Sequence, residues 1–179
     1  AVVAPLSAAA IQRWSAADAA ATEALGDVQV LVDDLPAGVL GLAAVHSGVI
    51  WVDVDADGQG WFVDATPWTD EEFDADLRGQ LAGTTWASRG GVDLLTVLAH
   101  ELGHLLGHED DYDDSDLSVM EFALPPGVRR LPLPAAGMPS DGRAIPDDSA
   151  FEALGLPLAE VRRGSAERRD AAGNLVVSL

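Results

Sequence analysis

Residues 93–107, DLLTVLAHELGHLLG, constrain the fold more than any other stretch of the chain. Apolar residues recur there at spacings of three and four, which predicts a helix from Asp93 to Leu106. Asp93 lies at the N-terminal end, where the helix dipole favours a negative charge, and Gly107 ends the helix. We therefore expect this helix to be the central element of the fold.

The residues before this helix predict further helices and strands. A helix is expected from Ser7 to about Leu25, and the acidic segment from Asp70 to Leu81 is also compatible with one. Three strands are predicted at residues 28–32, 40–45 and 49–54. Helices and strands in this order predict an α+β or α/β domain.

Charge is distributed unevenly along the chain. The 179 residues include 30 acidic and 10 basic residues, for a net charge of −20. Residues 1–124 contain 23 acids and three arginines, whereas residues 125–179 contain seven of each and are richer in Pro and Gly. We predict a domain over 1–124 and a Pro/Gly/Arg-rich linker or C-terminal segment over 125–179. Docking of the arginines of this segment on the acidic domain is the alternative to a simple linker.

This composition excludes some partners. The strong negative charge argues against nucleic acid, whose phosphates are bound through Lys and Arg. No apolar run is long enough to cross a bilayer, so membrane insertion is not expected. The absence of Cys is compatible with a reducing cytosol and with a secreted bacterial protein.

The central helix carries a candidate metal site. His100 and His104 are four residues apart and therefore share one face of the helix, where two imidazoles can bind one ion. Glu101 lies beside His100 and is placed to take a proton from a water molecule that the ion activates. Neutral imidazoles suit zinc, and three protein ligands leave a position for water. The alternative is a buried amphipathic helix with two incidental histidines.

The third ligand stays open at this point, and the candidates are His108, Glu109, Asp110 or a distant glutamate. If the helix continued through His108, that residue would lie about 12 Å along the axis from His100, too far to share an ion. Gly107 accepts a positive φ, so the chain can turn there and return a later residue to the ion.

The stretch HELGHLLGHED resembles the metzincin signature HExxHxxGxxH, with Asp110 where most members have a third histidine. Downstream, Leu117–Met120 resembles the metzincin Met-turn. Upstream, residues 58–64 (GQGWFVD) and 68–73 (WTDEEF) resemble matrixin segments that precede the active-site helix. The resemblance covers about residues 7–124 and is closest to matrixin-like domains of large bacterial surface proteins.

This resemblance implies an α+β fold of metzincin type, with a twisted mixed sheet and an active-site helix beneath a cleft. It implies a zinc-dependent endopeptidase, a hydrolase that cleaves peptide or protein substrates with activated water and Glu101 as general base. Met120 would lie under the metal, and an extracellular setting, secreted or on the cell surface, is expected. The implied zinc ligands are His100, His104 and Asp110, with His108 as the alternative to Asp110.

A second candidate metal site precedes the helix. Residues 53–64 follow the pattern D-x-D-x-D-G with an acid at the twelfth position, the spacing of a calcium-binding EF-hand loop. A strand is predicted before this loop, so a true EF-hand is not expected. A calcium turn of matrixin type and a solvated acidic loop are the alternatives. The candidate calcium ligands are Asp53, Asp55, Asp57 and Asp64.

The alternative function is a calcium-binding module of a bacterial surface protein that is non-catalytic or processes only its own chain. Glu101 distinguishes the two, because a module without activity has little reason to keep a general base. Partners other than a substrate are then the C-terminal segment or the parent polypeptide. A metzincin cleft also needs an edge strand that pairs with the substrate backbone, and we expect it within Val49–Asp55.

Overall fold

The computed structural model describes residues 2–75, 81–112 and 118–133. Its helices are α1 (Val3–Ala17), α2 (Ala21–Ala24), α3 (Trp86–Gly90) and α4 (Leu94–Leu105). Its strands are β1 (Gln29–Asp33), β2 (Gly41–Ala44), β3 (Val49–Asp53), β4 (Trp61–Phe62), β5 (Phe73–Ala75), β6 (Leu81–Gly83), β7 (Val92–Asp93) and β8 (Val128–Arg129). The fold class is therefore α+β. Within these residues, no helix combines the length and apolar character needed to cross a bilayer.

The described strands form three small sheets. In the first sheet the order is β1-β3-β2, with β1 parallel and β2 antiparallel to β3. All five residues of β3 are buried, whereas β2 lies at an edge and is half-buried over three of its four residues. The prediction of an edge strand within Val49–Asp55 is therefore wrong, because β3 has a partner on both sides. The other sheets are β4-β7 and β5-β6-β8.

Helix α4 is the buried centre of the structure, as its sequence predicts. Nine of its 12 residues are buried, including Glu101. The Asp93 side chain caps its start by accepting hydrogen bonds from the Thr96 backbone N–H at 3.3 Å and hydroxyl at 2.7 Å. The predicted span from Asp93 to Leu106 is confirmed to within one residue at each end.

Helix α1 packs directly against α4. The Trp14 indole N–H donates a hydrogen bond to the backbone oxygen of Ala99 at 2.7 Å. Gly103 permits the close approach, because a Cβ there would lie 2.3 Å from the Met120 sulfur and 3.0 Å from the Trp14 ring. The N-terminal helix, the central helix and the segment around Met120 therefore share one apolar core.

Two predicted helices differ in the structure. The helix predicted over Ser7–Leu25 starts at Val3 and breaks after Ala17, where the Asp18 carboxylate accepts the backbone N–H of Ala20 instead of leaving it to a helix. The helix proposed for Asp70–Leu81 is wrong for its described residues, because Phe73–Ala75 form strand β5 and Leu81 begins the antiparallel strand β6. Residues 76–80 of that prediction lie outside the described part.

A buried arginine ties the end of the described chain to the rest of the fold. The Arg129 guanidinium is fully buried and donates to Asp64 at 2.7 Å, to Asp93 at 2.9 Å and to Asp70 at 2.9 Å. It also lies over the Phe73 ring, 4.2 Å from its centroid. Asp64 and Asp70 lie in the segment between β4 and β5, and Asp93 lies at the start of α4, so a single side chain joins these two segments.

The predicted boundary near residue 124 does not coincide with an end of the packed structure. Strand β8 pairs with β6, and the side chains of Arg129 and Arg130 are buried. Residues 125–133 therefore belong to the same folded body as the residues before them. The remaining part of the predicted C-terminal segment, residues 134–179, lies outside the described residues.

Candidate metal centre

The two histidines of α4, His100 and His104, are oriented by hydrogen bonds so that their Nε2 atoms lie next to each other. His100 Nδ1 donates to the backbone oxygen of Val119 at 3.0 Å, and His104 Nδ1 donates to that of His108 at 2.9 Å. A carbonyl oxygen only accepts, so each Nδ1 carries the proton and each neutral ring keeps a lone pair on Nε2. The two Nε2 atoms are 3.0 Å apart.

Asp110 completes this arrangement. Its Oδ1 atom lies 3.1 Å from His100 Nε2 and 3.4 Å from His104 Nε2. Tetrahedral zinc with bonds of about 2.1 Å places its ligand atoms about 3.3 Å from one another. Among the described residues, these three form the one group of His, Cys, Asp or Glu side chains whose ligand atoms all lie within 4.8 Å of one another.

The carboxylate of Asp110 stays ionised beside the two histidines. When the two rings are protonated, the Nε2–H groups of His100 and His104 donate to Asp110 and hold its pKa well below its usual range. Burial lowers the pKa of His104, but its bond to Asp110 and the charge of Glu101 outweigh burial and raise the pKa. Two imidazole nitrogens and one carboxylate are a donor set that suits zinc and leaves a coordination position open.

A glycine turn starts the path that brings Asp110 back to the helix. Gly107 has a φ of 91°. The backbone N–H of His108 donates to the oxygen of Gly103, and the N–H of Gly107 donates to that of His104, both at 3.0 Å. These bonds form a Schellman motif, in which a residue with positive φ ends a helix and reverses the chain.

A short bridge then fixes Asp110. Asp111 forms an isolated parallel β-bridge with Glu121. The Asp111 N–H donates to the Met120 oxygen at 2.7 Å, and the Phe122 N–H donates to the Asp111 oxygen at 2.9 Å. Residues on both sides of the third ligand are thus anchored, one at the helix end and one at the segment that also holds His100.

His108, the alternative third ligand, has another place in the structure. Its ring stacks on Trp14, with centroids 4.9 Å apart and planes inclined by 22°. Only its backbone oxygen takes part in the site, through the bond from His104. The geometry therefore groups Asp110, and not His108, with the two helix histidines.

Replacing Asp110 with Asn should weaken zinc binding by at least about 100-fold, because the variant loses a charged ligand atom. A chelating dye in competition with the protein measures this affinity. His108→Ala is the matched control, and we expect its zinc affinity to equal that of the wild type. Weakened binding in His108→Ala, with unchanged binding in Asp110→Asn, would make His108 the ligand instead.

Glu101 lies beside the histidines but is turned toward strand β2. It is 5% exposed, and its carboxylate accepts a hydrogen bond from the backbone N–H of Ala43. Burial raises the pKa of Glu101 above its ordinary value, although the charges of His100 and His104 act in the opposite direction. The result is a carboxylate held on the cleft wall by the edge strand.

Gly41 makes room for this carboxylate. A Cβ at position 41 would lie 2.6 Å from Glu101 Oε1 and 2.8 Å from its Cγ. Contacts that short force the Glu101 side chain or strand β2 to move. A side chain at position 41 is therefore incompatible with the present position of Glu101.

Gly41→Ala should lower kcat/KM of any Glu101-dependent reaction by about 10- to 100-fold, because a displacement of about 1 Å misaligns the reacting group. Zinc affinity should stay the same, since the three ligands are not touched. Gly90→Ala is the matched control, because a Cβ there meets nothing within 4 Å. Loss of activity in both variants, or in neither, would contradict this role for Gly41.

Met120 lies in the apolar core that α4 shares with α1. It is 6% exposed and packs against α4 at Gly103. The residue before it, Val119, supplies the carbonyl oxygen that orients His100. Leu117, the first residue of the predicted Met-turn, lies outside the described residues.

The ligand atoms open into a cleft of about 550 Å³. Its walls are the edge strand β2 with the residues before it, the exposed side of α4, and residues 119–124. An open cavity that contains the candidate metal ligands, Glu101 and an unpaired strand edge has room for an extended chain.

The predicted calcium loop is organised by its own hydrogen bonds. Asp53 is buried, and its carboxylate accepts three backbone N–H groups at 2.8–3.0 Å. Burial raises the pKa of Asp53, but these bonds outweigh it and the pKa is lowered. Asp64 is paired with Arg129, and no three of the predicted ligands, which include Asp55 and Asp57, offer oxygens within 4.8 Å of one another. Calcium binding there stays a prediction.

Several residues of the site were missed by sequence reasoning. Gly41 and Ala43 position Glu101, but this role is visible only in the folded chain, where both residues lie close to Glu101. The aromatic side chain of Phe122 was also missed, although it follows Met120 by two residues and lines the cleft. For the position of Glu101, the one signal in the sequence was Gly41, a glycine at the start of a strand with small residues.

No family model, no curated protein and no solved structure matches the chain. The function of the site must therefore be inferred from its own residues and geometry.

Proposed function

We propose that this protein is a zinc-dependent endopeptidase of metzincin type. The observation that carries the proposal is the convergence of His100 Nε2, His104 Nε2 and Asp110 Oδ1 within 3.0–3.4 Å of one another. Glu101, whose carboxylate is buried, directly follows His100 in helix α4. The site also opens into a cleft large enough for a peptide.

The residues divide the chemistry between them. His100, His104 and Asp110 would hold the metal, and a zinc ion there would supply polarisation of the carbonyl group and a lowered pKa, about 7, for the attacking water. Glu101 accepts the proton of the attacking water and passes it to the leaving amine. The bond from Ala43 keeps Glu101 on the cleft wall while it does so.

Strand β2 is the element that we propose for substrate binding. It lies at the edge of its sheet and lines the cleft together with α4. An extended peptide can add to such an edge through backbone hydrogen bonds. This arrangement favours cleavage of chain segments that are extended when bound.

The metzincin assignment also implies roles for elements around the site. Met120 would form the apolar floor under the metal, in keeping with its burial against Gly103. A secreted or cell-surface setting in a bacterium is proposed from the resemblance of the motif alone.

The test is cleavage of an unfolded protein by the zinc-loaded full chain, followed by counting of the new amino termini. We expect a chelator to stop the reaction and one equivalent of zinc to restore it, whereas calcium alone should not. Tight zinc binding without new termini would contradict the endopeptidase and favour a non-catalytic module.

A further inference from the structure

Two exposed aromatic rings lie beside the metal ligands, Tyr112 and Phe122, and we call them the ring pair. Their side chains are 75% and 67% exposed, and the rings stack with centroids 5.2 Å apart and planes inclined by 28°. The bridge between Asp111 and Glu121 holds them next to each other, because each follows one bridge residue. The two stacked rings therefore present to solvent an apolar face against which no described residue packs.

The ring pair belongs to the cleft. Phe122 lines the cavity that contains the metal ligands. The Tyr112 hydroxyl donates to Asp110 Oδ2 at 3.5 Å, on the carboxylate whose other oxygen faces the histidines. A side chain that contacts these rings would therefore lie within a few residues of the bond being cleaved.

Exposed carboxylates line the cavity to which the ring pair belongs. Asp57 and Glu109 are exposed carboxylates that line the same cavity. The basic residue that lines it, Arg130, is paired with Glu121 at 2.8 Å and does not offset them. The whole chain carries a net charge of −20. A cleft of one sign attracts ligands of the opposite sign and repels those of its own.

We propose that the cleft selects substrates by a cationic side chain, Arg or Lys, laid on the ring pair. The face of an aromatic ring carries negative partial charge and attracts a cation within about 6 Å. The carboxylates that line the cavity add to this attraction, whereas a plain apolar side chain gains only from the rings. This inference rests on the proposed endopeptidase and names its substrate class as basic, extended peptides.

The test uses the zinc-loaded full chain with Glu101→Gln, so that peptides bind without being cleaved. One residue, Arg, norleucine or Glu, is moved position by position through an otherwise Gly/Ala peptide, and binding is followed by fluorescence anisotropy. At the preferred position, the Arg peptide should bind about 10-fold more tightly than the norleucine peptide, and this advantage should shrink at high ionic strength. The Glu peptide should bind most weakly.

Variants then locate the effect. Phe122→Ala and Tyr112→Ala should each reduce the advantage of Arg over norleucine by about two- to fivefold. Tyr112→Phe should keep the advantage, because it keeps the ring. Trp86→Ala is the matched control, since Trp86 is 95% exposed but does not line the cleft. Equal binding of the Arg and norleucine peptides, or an advantage that neither Phe122→Ala nor Tyr112→Ala reduces, would overturn the proposal.

This proposal and the endopeptidase can fail separately. If the zinc-loaded wild type cleaves unfolded proteins but its Glu101→Gln variant binds Arg and norleucine peptides equally, the enzyme stands and the cation site falls. If Arg peptides bind selectively and nothing is cleaved, the cation site stands and the enzyme falls.

Discussion

Replacing Glu101 with glutamine is expected to lower kcat/KM for peptide cleavage by about a thousandfold and to leave zinc binding unchanged. Glutamine has the shape of glutamate but cannot take up a proton from water. Its amide oxygen can still accept the Ala43 N–H, so the side chain should keep its place on the cleft wall. Because Glu101 is buried, a neutral side chain there should not destabilise the fold.

The measurement combines initial rates on an unfolded protein substrate with zinc content after dialysis. Glu23→Gln is the matched control, because Glu23 is exposed on α2 and lies outside the cleft. Cleavage by Glu101→Gln at more than about a tenth of the wild-type rate would show that another group transfers the proton.

Arg129→Met is expected to lower the free energy of unfolding by about 3–5 kcal/mol. The substitution keeps much of the apolar stem but removes the guanidinium, and it leaves the carboxylates of Asp64 and Asp93 buried without a counter-charge. Urea unfolding at neutral pH measures the difference. Arg89→Met is the matched control, because Arg89 is exposed and its guanidinium donates to the backbone oxygen of Gly83. A loss in Arg129→Met no larger than in the control would contradict the role of Arg129.

Acid should weaken the wild type through the same cluster. Burial raises the pKa of Asp70, but hydrogen bonds from Arg13 and Arg129 outweigh it and hold the pKa below its ordinary value. A carboxylate with a depressed folded-state pKa contributes stability above its unfolded pKa of about 3.9, and this stability is lost as the pH falls through the folded value. Asp70→Asn should therefore flatten the decline in stability below about pH 4. If stability below about pH 4 declined equally in Asp70→Asn and the wild type, the bonds of Asp70 to the two arginines would not be the cause.

The parts of the fold that sequence predicts well are those set by local pattern. Helix α4 has apolar residues at helical spacing, an aspartate cap and a glycine end, and all of these signals act within 15 residues. Strands β5 and β6 have three residues each, and the sheet also needs β8, which pairs with β6 from far along the chain, Leu81 with Arg129. An acidic segment such as Asp70–Leu81 gives no local sign of that pairing.

The order of strands is likewise set by distant contacts. The chain makes β2 between β1 and β3, yet β3 lies between the other two in the sheet. The hydrophobicity of β3 fits a central strand, but the sequence alone does not say which neighbour faces the cleft. The expectation of an edge strand there failed for this reason.

The same distinction applies to the site. His100, Glu101 and His104 follow from helical spacing. Asp110 could be placed only by combining the Gly107 turn with the bridge at Asp111, and the second of these depends on a partner segment ten residues later. The acids of residues 53–64 match the spacing of a calcium loop, but in the structure the carboxylate oxygens of Asp53 accept hydrogen bonds from backbone N–H groups.

The Arg129 cluster has a consequence for the timing of biosynthesis. Asp93 caps the start of α4 and is also bonded to Arg129, which lies 36 residues further along the chain. In a nascent chain that has been synthesised only as far as Asp110, the Asp93 carboxylate still lacks the Arg129 guanidinium. The helix that carries the histidines is therefore expected to gain its full support only after Arg129 has been synthesised.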